Sequence, residues 1–420
     1  MSKSVTLQRT EPLAADQTRA SAAAGVQPSG FLRLALPASM VMSFLAASSV
    51  PTPLYATYAR EWHFSPITTT AVFGAYAIAV LLALLVLGRV SDHIGRRPVL
   101  LAALAVQTAA AALLTTAGGV DALLAGRVLQ GLATGAAVGA LGAAMLDLDP
   151  ERGTLANATA PGVGTGVGAL ISGVLVQYVP APTHIVYLVL IGIFMLQAIG
   201  VVVSPERTAR RPGLRAALVP ELAVPRATRG AVLVAAPILF AVWALSGLYG
   251  SLGPALARQL SGSASAVVGG LPFFVLAIVS SISAVALSRL APHTVMLCSI
   301  AATFTAAGGT LVAVEESSTA GFLATTVLAG VGFGAGLQGA FRTVIPLAPP
   351  RDRAGVLSVL YIISYCGMGV PAISAGILVI HGGGLISSAR DYALFLIVLA
   401  AAALAALLLT NHSKRPLNGH

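Results

Sequence analysis

Long apolar runs broken by short polar punctuation dominate this chain. Twelve can be traced, at about 34–56, 67–87, 98–118, 122–146, 157–179, 184–204, 230–253, 264–288, 294–314, 319–341, 355–380 and 392–410. Most approach the ~20 residues that a helix rising ~1.5 Å per residue needs to cross a hydrocarbon layer of ~30 Å. They lack the period-two alternation of membrane-barrel strands, and each is about twice such a strand's length. The pattern predicts an all-α protein of twelve transmembrane helices.

Composition agrees, with 57% hydrophobic and only 9% charged residues, against roughly 25% charged in a soluble domain. Residues 1–33 hold Ala, Ser and Gly with scattered charges, which predicts a disordered N-terminal tail; residues 411–420 form a short C-terminal one. A cleaved signal peptide is not expected, because the first apolar run starts late and opens into further spans. The longest internal hydrophilic segment, 205–229, carries Glu206, Arg207, Arg210, Arg211, Arg215, Glu221, Arg226 and Arg229, with Pro212, Pro220 and Pro225. It divides the spans into a bundle over 34–204 and a second over 230–410, and its basic character suits an anionic membrane surface.

The formal charge of +10 is distributed with a bias. If both termini are cytoplasmic, twenty of the 24 Lys and Arg residues fall on the cytoplasmic side, three (Arg60, Arg258, Arg390) fall outside, and Arg127 alone lies within a span. This is the positive-inside asymmetry, and it predicts a multi-pass protein of the cytoplasmic (inner) membrane. Basic residues dispersed over short loops make no phosphate-binding surface, so nucleic acid is not an expected partner. Cys298 and Cys366 sit in separate apolar runs without metal-ligand spacing and read as core packing. Neither a metal nor a cofactor is expected.

The two sets of six spans echo each other. Leu-Ala-Gly at 124–126 recurs at 328–330, Ile171-Ser-Gly is matched near Ile373-Ser-Ala, Leu87-Gly-Arg by Leu287-Ser-Arg, and the charged turn at Asp149–Gly153 by that at Arg351–Gly355. All share an offset near 200–204 residues, the mark of an internal repeat. Two related six-helix bundles imply a path between them, opened alternately at each end by rocking one against the other.

The densest charge lies in Gly88-Arg-Val-Ser-Asp92-His-Ile-Gly95-Arg96-Arg97, between spans two and three. Gly88 and Gly95 permit tight turning and close helix approach, Asp92 can accept from a helix N-terminus or pair with an arginine, and Arg96 or Arg97 can pair back within the same half. The segment reads as a latch between conformations or, more simply, as a loop that retains positive charge on one side. With its spacing of Gly, three residues, Asp, then Gly and two basic residues, the chain resembles the major facilitator superfamily along nearly its whole length. It is most similar to the twelve-span drug/proton antiporters, with His93 in place of a usual basic residue.

That resemblance implies two pseudo-symmetric six-helix bundles and a functional monomer. It implies a latch in which Asp92 meets the start of span eleven near Gly355, or Arg353 or Arg152. It also implies a role in coupling or cavity shape for Arg127, followed as in the family by Gln130 and Gly131. Independently, a charge about seven residues into span four, roughly 10 Å deep, is costly and belongs in a protein interior or cavity; tying helices together through backbone carbonyls would also account for it. Proton coupling meets an obstacle, because none of the fourteen acids lies in mid-span. Asp121, at one mouth of span four, and Asp147, at the other, are the nearest candidates.

Pro51 and Pro53 should interrupt span one. Span five, with Gly162, Gly164, Gly166, Gly168 and Gly173, should allow close approach and flexing, although Gly168-Ala169 and Ser172-Gly173 replace the Gly-Pro and Gly-Gly steps of the antiporters. The resemblance directs substrate to Tyr55, Arg127, Gln130, Trp243, Tyr249 and Gln338 in spans one, four, seven and ten. Tyr361, Tyr365 and Met368 form a further helical stripe. Apolar and aromatic walls suit a small amphipathic organic compound, expelled with proton coupling; the alternative is a uniporter or importer of an organic anion, which the buried cation would select, or of another small metabolite. No cluster of catalytic groups points to an enzyme, and no repeated carbonyl filter to a channel.

Overall fold

A computed structural model describes residues 30–205 and 212–413; the tails expected over 1–33 and 411–420 lie outside them except at 30–33 and 411–413, which are helical. Along the chain the helices are α1 (Gly30–Ser49), α2 (Pro51–Trp62), α3 (Pro66–Leu87), α4 (Ser91–Ile94), α5 (Arg96–Thr115), α6 (Val120–Leu148), α7 (Pro150–Tyr178), α8 (Pro182–Val203), α9 (Leu214–Ala217), α10 (Arg226–Ser251), α11 (Gly253–Ser261), α12 (Ala266–Ala286), α13 (Pro292–Glu315), α14 (Thr319–Val344), α15 (Arg353–His381) and α16 (Gly384–Ser413). With α1 and α2 together forming span one, twelve spans are long and apolar enough to cross a membrane. Spans two to six are α3, α5, α6, α7 and α8; spans seven to twelve are α10, α12, α13, α14, α15 and α16. An even number brings the first and last spans back to one end, the linker end; the other is the far end.

Helix starts explain where the spans depart from the apolar runs. Proline, whose missing N–H costs nothing in a first turn, opens α3, α7, α8 and α13. Span five begins at Pro150, seven residues before its apolar run, because Asp149 Oδ1 accepts from the backbone N of Glu151 and Arg152 at 3.1 and 3.0 Å. Span twelve starts at Gly384, before its apolar run near 392.

Each set of six spans has its own apolar interior. Met40, Phe44, Leu104, Leu123, Tyr187 and Phe194 belong to a cluster drawn wholly from residues 34–201. Another, with Ile238, Leu239, Met296 and Leu360, lies wholly beyond residue 231. A small fourth cluster crosses between the sets, joining Phe73 and Ala77 of span two to Met368 and Ala372 of span eleven, with Trp243 and Tyr365 against it.

The principal seam between the sets is span five on span eight. A Cβ on Gly162, Gly166 or Gly173 would fall 2.6 Å from Ala277 O, 3.3 Å from Phe274 O and 2.9 Å from Ala266 O. Gly168 faces span one instead, with Ala46 O 2.5 Å from its would-be Cβ. Where lipid is as apolar as the helix surface, such backbone proximity supplies the dispersion contacts that hold helices together. The seam is pinned by Ser281 Oγ donating to Thr159 O and by Ala266 N donating to Gln177 Oε1, both at 3.1 Å. Gly168 and Gly173, expected to lend flexibility, sit in a continuous 29-residue helix as packing surfaces.

Candidate functional site

The site is organised by a break in span one. Helix α1 ends at Ser49 and α2 begins at Pro51, so the last-turn carbonyls of α1 lack some of the N–H partners that a continuous helix would offer. Pro51 cannot donate to Ala47 O, nor Pro53 to Ser49 O. Neighbouring spans supply donors: Gln130 Nε2 to Ala47 O at 3.3 Å, Arg127 Nη1 to Ser48 O at 2.9 Å, and Ser172 Oγ to Val50 O at 2.7 Å. Arg127 Nη1 also donates to Gln130 Oε1 at 3.0 Å, and the guanidinium carbon lies 4.3 Å from the centre of the Tyr76 ring.

Arg127 is wholly buried, and its contacts with neighbouring groups use only part of its donors. Of its five N–H bonds, those on Nε and Nη2 have no acceptor among the described residues. The hydroxyls of Tyr55 and Thr52, buried in α2, are likewise without partners. A cation stripped of water with donors to spare attracts any anionic group that reaches it.

Residues from the second set face this centre. Trp243 packs against Tyr365 and Phe333, ring centres 5.0 and 5.6 Å apart, and meets Phe73 and Ala77 through the crossing cluster. Its indole Nε1 has no described acceptor. Tyr361 lies further along span eleven against Phe341, and Gln338 donates to Ala284 O at 2.8 Å while its Oε1 remains unpaired. Tyr249 does not join them. Its ring is buried in the interior of the second set, stacked on Phe322 at 5.7 Å, which removes it from the cavity group. Asp121 is exposed in the first turn of span four, where a carboxylate favours a helix N-terminus.

At the far end, a cavity of about 600 Å³ opens between the two sets. Thr52, Tyr55 and Arg60 of α2 line one side, Arg258 of α11 the other, with Gln177 and Val379 among its walls. Helices α2 and α11 are counterparts: each is a short helix after a proline-marked break in the first span of its set, with an arginine in its last turn.

In the charged loop at the linker end, the basic residues pair back within the first half as expected, whereas Asp92 does not meet its expected partners. Arg96 pairs with Asp147 of span four at 2.6 Å, and Arg97 Nη2 donates to Val202 O at the end of span six. Arg89 forms an ion pair with Glu221, and His93 Nδ1 lies 3.1 Å from Pro212 O, both in the linker. The expected partners of Asp92 are engaged elsewhere: the Gly355 backbone packs on Ala223 of the linker, Arg353 Nε donates to Ala348 O, and Arg152 lies 3.8 Å from Asp149. Asp92's carboxylate makes no ion pair or hydrogen bond among the described residues. Gly95, at φ 99°, holds a turn that other residues rarely adopt, whereas Gly88, at φ −56°, is in ordinary helical territory. Sequence reasoning missed Glu221; its only signal was an acid within a basic linker.

Two bundles of membrane helices meeting around buried polar groups define a membrane carrier. Residues 38–292 match the sequence model of the Major Facilitator Superfamily, and the chain belongs to that family. Its function is accordingly secondary transport of a small molecule, and it is a carrier and not an enzyme. Among solved structures, it is similar to a point mutant of the nucleoside transporter NupG, at 13% identity and a TM-score of 0.67, over 91% of this chain and 99% of that one. A bacterial homologue of the human lysosomal transporter Spinster, in an inward-facing and occupied conformation, matches at 14% identity and a TM-score of 0.68, over 92% and 98%. At these identities the likeness is one of fold.

Proposed function

We propose that this protein expels a small amphipathic organic compound from the cell by alternating access. The bundles 34–204 and 230–410 are the rocking bodies in a single working chain, and both termini are cytoplasmic. The observation that carries this reading is Arg127: a fully buried guanidinium with unpaired Nε and Nη2, close to the crossing cluster where Trp243 and Tyr365 meet span two. Apolar and aromatic surroundings with one cation suit a compound with an apolar body and a polar or anionic head.

The segment 88–97 acts as the cytoplasmic latch. Its Asp92 makes no ion pair or hydrogen bond among the described residues, so its carboxylate is available to bind the start of span eleven when the inner side closes. Proton coupling runs through end-of-span carboxylates if it operates, since no acid lies in mid-span. The test is a compound panel in proteoliposomes with and without an imposed pH gradient. Flux of amphipathic compounds, accelerated by the gradient and lost in Arg127→Ala, supports the reading; gradient-independent flux removes the proton, and flux unchanged in Arg127→Ala removes the site.

A further inference from the structure

Among the described residues three arginines lie at the far end outside the spans' interiors, and two of them, Arg60 and Arg258, line one cavity. No Asp or Glu lines it with them; Glu61, next in sequence to Arg60, is exposed and outside the lining. Arg258 is not a lipid-facing anchor. Its guanidinium lies over the backbone of span eight, where a Cβ on Gly269 would come within 3.0 Å of Nη1. Burial, and to a lesser degree the charge of Arg60, pull its pKa below the ordinary value. Two like charges in a shared cavity repel, and an anion between them relieves both.

Tyr55 connects this cavity to the buried centre. It lines the cavity, its hydroxyl is unpaired, and it stands in span one, whose Ser48 O accepts from Arg127. Leu252, Val379 and Leu385 supply apolar wall, and about 600 Å³ falls in the range that holds a small organic ligand.

We propose that Arg60 and Arg258 form an anion-binding vestibule at the far end, which takes the carboxylate of an amphipathic organic acid and exchanges it with Arg127. This deepens the transport reading and rests on it: the substrate class is organic monocarboxylates, and the vestibule is where they leave or arrive.

The test uses the full chain in zwitterionic nanodiscs carrying Ala264→Cys, a cavity-lining exposed position; Thr69→Cys is a second reporter, and the unsubstituted chain is the blank for Cys298 and Cys366. Relative to a free thiol, a negatively charged methanethiosulfonate should react about tenfold faster than a positively charged one at low salt. The preference should shrink as salt screens the field and collapse in R60Q/R258Q. Indole-3-acetate should protect the cysteine, the neutral indole-3-acetamide should not, and Arg258→Lys should retain part of the protection that Arg258→Gln loses. Equal rates for the two reagents, a preference that survives R60Q/R258Q, or equal protection by acid and amide would overturn the proposal. Vesicle flux without any charge preference fails the vestibule alone. If no compound moves at all while the reagent preference persists, the transport reading fails and the vestibule's field stands.

Discussion

The two halves break their first spans in equivalent places, but among the described residues only the first break draws side-chain donors from a neighbouring span. In the first half, carbonyls beside Pro51 are met by a guanidinium and a carboxamide from span four. In the second, α10 gives way to α11 just before Pro254, which withholds a donor from Gly250 O, while the side-chain hydrogen bonds nearby, Ser251 Oγ to Gly247 O at 2.6 Å and Tyr392 Oη to Ala244 O at 2.8 Å, fall on carbonyls inside α10. The repeat places Val331 and Gly334 opposite Arg127 and Gln130 in span ten, so no cation is available there. A buried charge with donors left over is more than satisfying carbonyls at a break needs.

The largest contrast is expected between Arg127→Ala and Tyr392→Phe. The first should abolish flux, whereas the second removes one neutral hydrogen bond, costs about 1 kcal/mol of stability, and should leave most flux in place. Comparable flux loss in the two variants, at equal expression in vesicles, would show the halves to be equivalent.

Gln130→Leu should come next. It leaves Ala47 O without a described donor and releases Arg127 from its side-chain acceptor. Initial-rate assays should show flux lowered by about tenfold, equivalent to ~1.4 kcal/mol. Asp92→Asn should lower flux more modestly and shift the resting conformation while insertion stays intact. Cysteine accessibility at the linker end reads the shift, and an unchanged pattern with normal turnover would leave the loop a topogenic segment only.

The smallest effect belongs to the half-exposed ion pair between Arg89 and Glu221. Glu221→Gln should change thermal stability by about 1 kcal/mol or less, as solvent screening limits such pairs. A larger change would mean that the linker clamps the latch rather than resting against it.

Much of this architecture was legible in the chain. Apolar run length located twelve spans, since crossing a bilayer demands a minimum number of residues. Pro51 and Pro53 located the break, because a proline withholds a backbone donor wherever it stands. Arg127 was conspicuous as the one basic residue inside a span. Tyr249 was misread because its helix offers both an interior and an interface face, and periodicity does not say which is which. Asp92 was assigned a partner whose position the linker occupies, a competition between segments more than a hundred residues apart.

The sequence by itself determined which segments are helices, where they must break and how few charges enter the membrane, because those follow from local hydrogen bonding and the cost of burying polar groups. Tertiary structure alone decided that Arg127 keeps unpaired donors, that span five presents opposite glycine faces to spans one and eight, and that Arg60 and Arg258 share a cavity. These depend on which helix faces meet, and two arginines almost two hundred positions apart carry no local signal of their proximity.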